Sequence, residues 1–199
     1  MPLARVHDDI VPAAFPSPRH AAVIGLAWGF AEATFFFVVP DVWVGYASTT
    51  SARGGLAAAA GAVAGGLLGA VAVSALIGLG LQSQVLAWLQ HVPAIRPSML
   101  EVVGHRIDVS GPASLLPAAF EGIPNKVYST LLLARRTPLV TVLIWTVPSR
   151  VLRLFPVALV FAGLAAPLRK WILRRRALFA ELYVVLWACL YGWYWTHLP

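Results

Sequence analysis

The chain has 199 residues, of which 59% are hydrophobic and only 12% charged, and its mean hydropathy is +0.77. Soluble domains carry roughly 25% charged residues, so this is the composition of an integral membrane protein. The net charge of +7 would suggest nucleic acid in a soluble chain. Here Lys and Arg collect between apolar runs, as topological signals do, and nucleic acid is not an expected partner.

Residues 1–20 hold Arg5, Asp8, Asp9 and four prolines, unlike the short basic region and apolar core of a signal peptide. They are expected to form a flexible or surface-lying leader. Five apolar stretches follow, roughly 21–46, 55–81, 112–134, 138–166 and 177–198, against about 20 apolar residues needed to span a bilayer. The first breaks at Val39-Pro40-Asp41-Val42 and the third at Ile123-Pro124-Asn125-Lys126-Val127. Proline lacks an N–H donor and clashes with the preceding turn, at about 3 kcal/mol in a helix interior. Two such breaks in corresponding places are what membrane transporters use to expose backbone to a site at the bilayer midplane.

The second stretch is free of charge and rich in small residues. Gly61, Gly65, Gly66 and Gly69 give two Gly-x-x-x-Gly spacings, which predict close helix packing within the chain, with homo-oligomerisation as a lesser reading. Between the second and third stretches, Val85–Leu89 reads as a short interfacial helix or as an ordinary connector. The fourth stretch carries Pro148, expected to open the helix ahead of Arg150 and Arg153. The basic run Arg169–Arg176 anchors topology, and Tyr191, Trp193, Tyr194 and Trp195 read as interfacial belt residues opposite Trp171. The single Cys189 allows no internal disulfide.

Placing Pro40 over Pro124 aligns the halves, each reading as broken hairpin, basic turn (Arg53 or Arg136) and long apolar helix. This pattern fits an internal repeat. If the first and third stretches return to their side of origin, three segments cross. A cytoplasmic N-terminus then puts eight basic residues inside and four outside, and the two hairpins enter from opposite sides. Charge also permits five full crossings.

Glu32, Asp41, Glu121, Lys126, Arg150, Arg153 and Glu181 lie in or beside apolar stretches, where a charge costs about 2.5–3.5 kcal/mol by insertion scales. They serve either as structural ion pairs or as a polar site. In the second case carboxylates exchange protons, Glu32 first, and arginines hold an anion through the guanidinium fork. Asp41 is equally suited to cap the helix after Pro40. Arg150 and Arg153 share a helix face. The histidines, His7, His20, His91, His105 and His197, have no metal-ligand spacing. No nucleophile elbow, P-loop or dinucleotide fingerprint occurs, so neither cofactor nor enzyme chemistry is expected.

The run Glu32-Ala33-Thr34-Phe35-Phe36, then Pro40-Asp41-Val42, Gly61 to Gly69 and Gly78, resembles the first half of the DedA family, also called VTT or SNARE-associated domain proteins. Gly122-Ile123-Pro124-Asn125-Lys126-Val127-Tyr128, Pro138 and Ser149-Arg150-x-x-Arg153-Leu154-Phe155 resemble the second half in its small YqaA-like branch. The resemblance covers about residues 25–165. It implies an all-α inner-membrane protein with two re-entrant helical hairpins and about three transmembrane helices in an inverted repeat. It further implies proton-coupled transport or flipping of an anionic, phosphate-bearing lipid. Glu32 and Asp41 would be the acidic pair, Lys126, Arg150 and Arg153 would bind substrate, and Glu121 would be accessory. The alternative is a non-transporting membrane-assembly or scaffold protein whose charges are structural. The expected units are the leader 1–20, a membrane domain 21–166, a basic cytoplasmic loop 167–176 and a final helix 177–199.

Overall fold

A computed structural model describes residues 16–197. Most of the expected leader therefore lies outside the described residues. Ser17 caps the first helix, its hydroxyl accepting from the His20 N–H, and Pro18 occupies the first turn, where its missing donor is harmless. Nine α-helices follow in order: α1 Pro18–Thr34, α2 Asp41–Thr50, α3 Ala52–Gly78, α4 Gln82–His91, α5 Pro97–Ser110, α6 Asn125–Ala134, α7 Leu139–Ala165, α8 Arg169–Arg174 and α9 Arg176–His197. Two 3₁₀ turns, Gly111–Leu115 and Pro117–Ala119, precede α6. The described residues contain no strand. Three helices are long and apolar enough to cross a membrane: α3, α7 and Arg176–Thr196 of α9.

Small residues set how α1 meets α3. A Cβ on Gly25 or Gly29 would fall on the backbone of Ala58 or Ala62, and one on Gly61 or Gly65 would fall on Ala22 or Leu26. Residue numbers rise together on the two helices, so α1 and α3 run parallel at close approach. The passage between them, including α2, has therefore carried the chain back to the end where α1 began. Beside α7, Asp41 bonds Arg153 and Gly45 abuts Phe161, so α2 runs with α7. The start of α6 instead meets the middle of α7 through Asn125 and Ser149, and its end lies at the turn leading into α7. The two ten-residue helices thus leave one central layer in opposite directions.

That layer separates two hydrophobic clusters. One, rich in alanine, joins α1, α2, the start of α3 and the end of α7 around Ala58, Ala62, Leu154 and Ala158. The other joins the end of α3 to α4, α5, α6 and the start of α7 around Val73, Leu89, Val103, Leu132 and Val142. Membership at opposite ends shows that α3 and α7 are antiparallel.

Three expectations are corrected. Pro148 does not open α7, which stays helical through Pro148 and Pro156 because each proline removes only one donor. The first break begins at Phe35, not Pro40. There Thr34 folds its hydroxyl back onto the Phe30 and Ala31 carbonyls and the chain leaves the helix over residues 35–40. The third stretch begins with 3₁₀ turns, each opened by a proline, Pro112 and Pro117. The connector 82–110 holds two helices, α4 covering the expected Val85–Leu89, and the basic run includes the short helix α8.

Candidate functional site

The break after α1 leaves backbone polar groups without helical partners, and the chain satisfies them with side chains from far away. The indole N–H of Trp28 donates to the Val38 carbonyl at 2.9 Å, and the Val39 N–H donates to the Tyr191 hydroxyl at 2.8 Å. The Lys126 ammonium donates to the Phe36 carbonyl at 2.6 Å. Tyr183 donates its hydroxyl to the Val42 carbonyl at 2.8 Å. In hydrocarbon each unsatisfied group would cost several kcal/mol, so these contacts make the broken conformation tolerable. Lys126 sits at the start of α6, so its bond also ties the second tip to the first.

Around this junction the structure gathers five of the six sequence-predicted residues. Glu32 and Arg150 form a buried ion pair at 2.7 Å, each side chain 6% exposed. Gly66 makes it possible, since a Cβ there would overlap the Arg150 guanidinium. One turn further along α7, the Arg153 Nε donates to Asp41 at 3.0 Å. Asp41 does not cap α2, where Pro40 takes the cap position and no side chain bonds the free N–H groups. Lys126 is 1% exposed. Three cations thus face two carboxylates, a surplus of one formal positive charge in a buried layer.

The polar groups of this layer are incompletely used. Asp41 Oδ2, Arg150 Nε and Asn125 Oδ1 are buried without a partner, while Asn125 Nδ2 donates to Ser149 Oγ at 3.0 Å. They border a cavity of about 30 Å3 lined by Glu32, Asp41, Asn125, Ser149, Arg150 and Arg153. A buried water needs at least about 10–15 Å3 by this measure, so the cavity suits one or two waters and is too small for a phosphate group. Arg153 also borders a second chamber of about 290 Å3, together with Lys126.

Glu121 lies elsewhere. It pairs with Arg106 and accepts the Tyr128 hydroxyl at 3.1 Å on the α5 side of α6. The C-terminal aromatics are more than belt residues, since Tyr191, Trp193 and Tyr194 line the larger chamber and Tyr194 donates to the Gly122 carbonyl at 3.0 Å. Asn125, Ser149, Gly66 and Tyr183 were not foreseen. Asn125 was detectable in principle, because it follows Pro124 as Asp41 follows Pro40. Tyr183 belongs to a series, Phe179, Tyr183, Trp187, Tyr191 and Trp195, spaced every fourth residue along one face of α9. Among the described residues no group of acidic, His or Cys side chains is suited to hold a metal. Compared with protein-family models, curated proteins and solved structures, the chain matches none.

Proposed function

We propose that the protein is a proton-coupled membrane transporter or flippase for an anionic, phosphate-bearing lipid, built on the DedA plan of two re-entrant hairpins in an inverted repeat. The observation that carries this reading is the buried surplus of cations, Lys126, Arg150 and Arg153 over Glu32 and Asp41, beside unpartnered polar atoms. A purely structural set of pairs gains nothing from an extra buried cation, whose desolvation costs several kcal/mol. An anion would balance it.

The helix geometry supports the same plan. At 1.5 Å per residue, α2 and α6 are each about 15 Å long, half of a hydrocarbon core about 30 Å thick. Leaving the charged layer in opposite directions, they reach opposite faces, as two hairpins entering from opposite sides would. The antiparallel α3 and α7 put their N-terminal turns, near Arg53 and Arg136, at opposite ends.

The chemistry follows from the pairing. A proton taken up by Glu32 removes the charge that holds Arg150 and releases the guanidinium toward an incoming phosphate. Binding of a phosphate to Arg150 in turn loosens its grip on Glu32 and favours protonation. Asp41 and Arg153 repeat the arrangement one turn away. The inner membrane, with the N-terminus in the cytoplasm, is the location that the basic residues favour. Purified protein in liposomes tests the reading. Wild type is expected to move a phosphate-bearing lipid faster than protein-free vesicles and to respond to a pH gradient. Glu32→Gln should lose the gradient response, and Arg150→Ala should lose translocation. Wild-type vesicles no faster than empty ones, for any anionic lipid tried, would favour the scaffold alternative.

A further inference from the structure

The larger chamber lies between α9 and the two hairpin tips, and the transport reading does not by itself use it. Its walls are apolar and aromatic, among them Phe37, Trp187, Leu190 and Trp193, while Lys126 and Arg153 stand at its border with the charged layer. Among the described residues, Lys126 uses one ammonium donor, on the Phe36 carbonyl, and Arg153 uses its Nε, on Asp41. Ammonium has three donors and guanidinium five, so both retain capacity for an anion. An apolar pocket ending in two cations complements a molecule with a hydrocarbon body and an anionic end.

The outer wall is α9, and it is weakly embedded. Of its most apolar window 6% is buried, against 39% in α3. Three tyrosine hydroxyls fasten it. Tyr183 and Tyr191 bond Val42 and Val39, on either side of Pro40, and Tyr194 bonds Gly122, just ahead of Pro124. Both tips are therefore gripped by one peripheral helix. Each grip is a hydrogen bond to backbone that water cannot replace in the hydrocarbon.

We propose that this chamber is a lateral station for one phosphate-bearing membrane lipid, closed by α9 as a latch. The phosphate rests on Lys126 and Arg153, the chain lies against Phe37, Trp187 and Trp193, and release of Tyr191 and Tyr194 opens the chamber sideways to the bilayer. This rests on the transport reading for its purpose, but the binding can be tested without transport.

The test uses Cys189→Ser protein carrying Ile95→Cys, a buried position on the chamber wall, in phosphatidylcholine vesicles. Maleimide labelling of that cysteine should slow about fivefold when phosphatidic acid is added at several times its Kd. Diacylglycerol with the same chains should have no such effect. Tyr191→Phe/Tyr194→Phe keeps both rings and removes two hydrogen bonds, and should speed labelling without phosphatidic acid about tenfold. Phosphatidic acid that protects no better than diacylglycerol overturns the station, and an unchanged rate in the tyrosine double variant overturns the latch. If the double variant does not fold, Tyr194→Phe alone should give a rise of about threefold. Protection without any lipid translocation would sink the transport reading and keep the station. Translocation without protection would do the reverse.

Discussion

The two hairpin tips are alike at the break and unlike in how the chain reaches it. Each has a proline, a polar residue and then a ten-residue helix, Pro40 with Asp41–Thr50 and Pro124 with Asn125–Ala134, and each half goes on to a 27-residue helix. The first tip is approached along a 17-residue α-helix sunk into α3 through glycine and alanine. The second is approached through two 3₁₀ turns held between α5, α6 and α7. Their chemistry also differs: the first half brings carboxylates, Glu32 and Asp41, and the second brings Lys126 at its tip with Arg150 and Arg153 on the helix that follows. The repeat conserves the break and its half-length helix, while the approach and the charge are free to diverge.

The largest expected effect comes from splitting the charges that join the halves. Arg150→Ala leaves Glu32 buried without its partner and should destabilise by about 3–5 kcal/mol. Adding Glu32→Gln should recover at least half of that. Lys126→Met should cost less, about 1 kcal/mol, because the ammonium bonds only a carbonyl. Thermal unfolding followed by tryptophan fluorescence in detergent checks all three, and equal losses for Arg150→Ala and Lys126→Met would erase the distinction.

Next is the approach to the first tip. Gly29→Ala drives a methyl group into the Ala62 backbone and should destabilise by about 1–3 kcal/mol. Gly163→Ala, with nothing near its Cβ position, should be neutral or stabilising. The same unfolding measurement compares them, and a neutral Gly29→Ala would remove the close α1–α3 contact from the account.

The smallest concerns the turns that close each half. After α3, Gly80 takes a left-handed φ of 84° while its N–H and that of Leu81 bond the last helical carbonyls, and after α6 Arg136 does the same at φ 63°. Left-handed backbone costs a non-glycine residue roughly 1–2 kcal/mol. Arg136→Gly should therefore stabilise by about 1 kcal/mol or less, the more flexible unfolded chain offsetting part of the gain. A lower melting temperature would contradict it.

Much of the fold was legible because membranes allow few solutions. Apolar length marked α3, α7 and α9, and proline marked both tips. Glycine spacing predicted tight packing of α3, although its reciprocal, Gly25 and Gly29 on α1, went unread. The site residues were legible as charges where charge is expensive. Which carboxylate meets which arginine was not, because that depends on α1 and α2 reaching α7 from sequence positions 118 and 112 residues away. Glu121 looked equivalent by depth, yet Arg106 on α5 takes it. The tyrosines of α9 were misread as belt residues because their partners are backbone groups, which leave no trace in side-chain chemistry.

The central claim is that two half-length helices start at one charged layer and reach opposite faces. Cysteines placed beside Arg53 and beside Arg136, in Cys189→Ser protein, test it in intact cells or oriented vesicles with a membrane-impermeant maleimide. Labelling of the two positions from opposite sides is the expected result, and labelling of both from the same side would contradict the account.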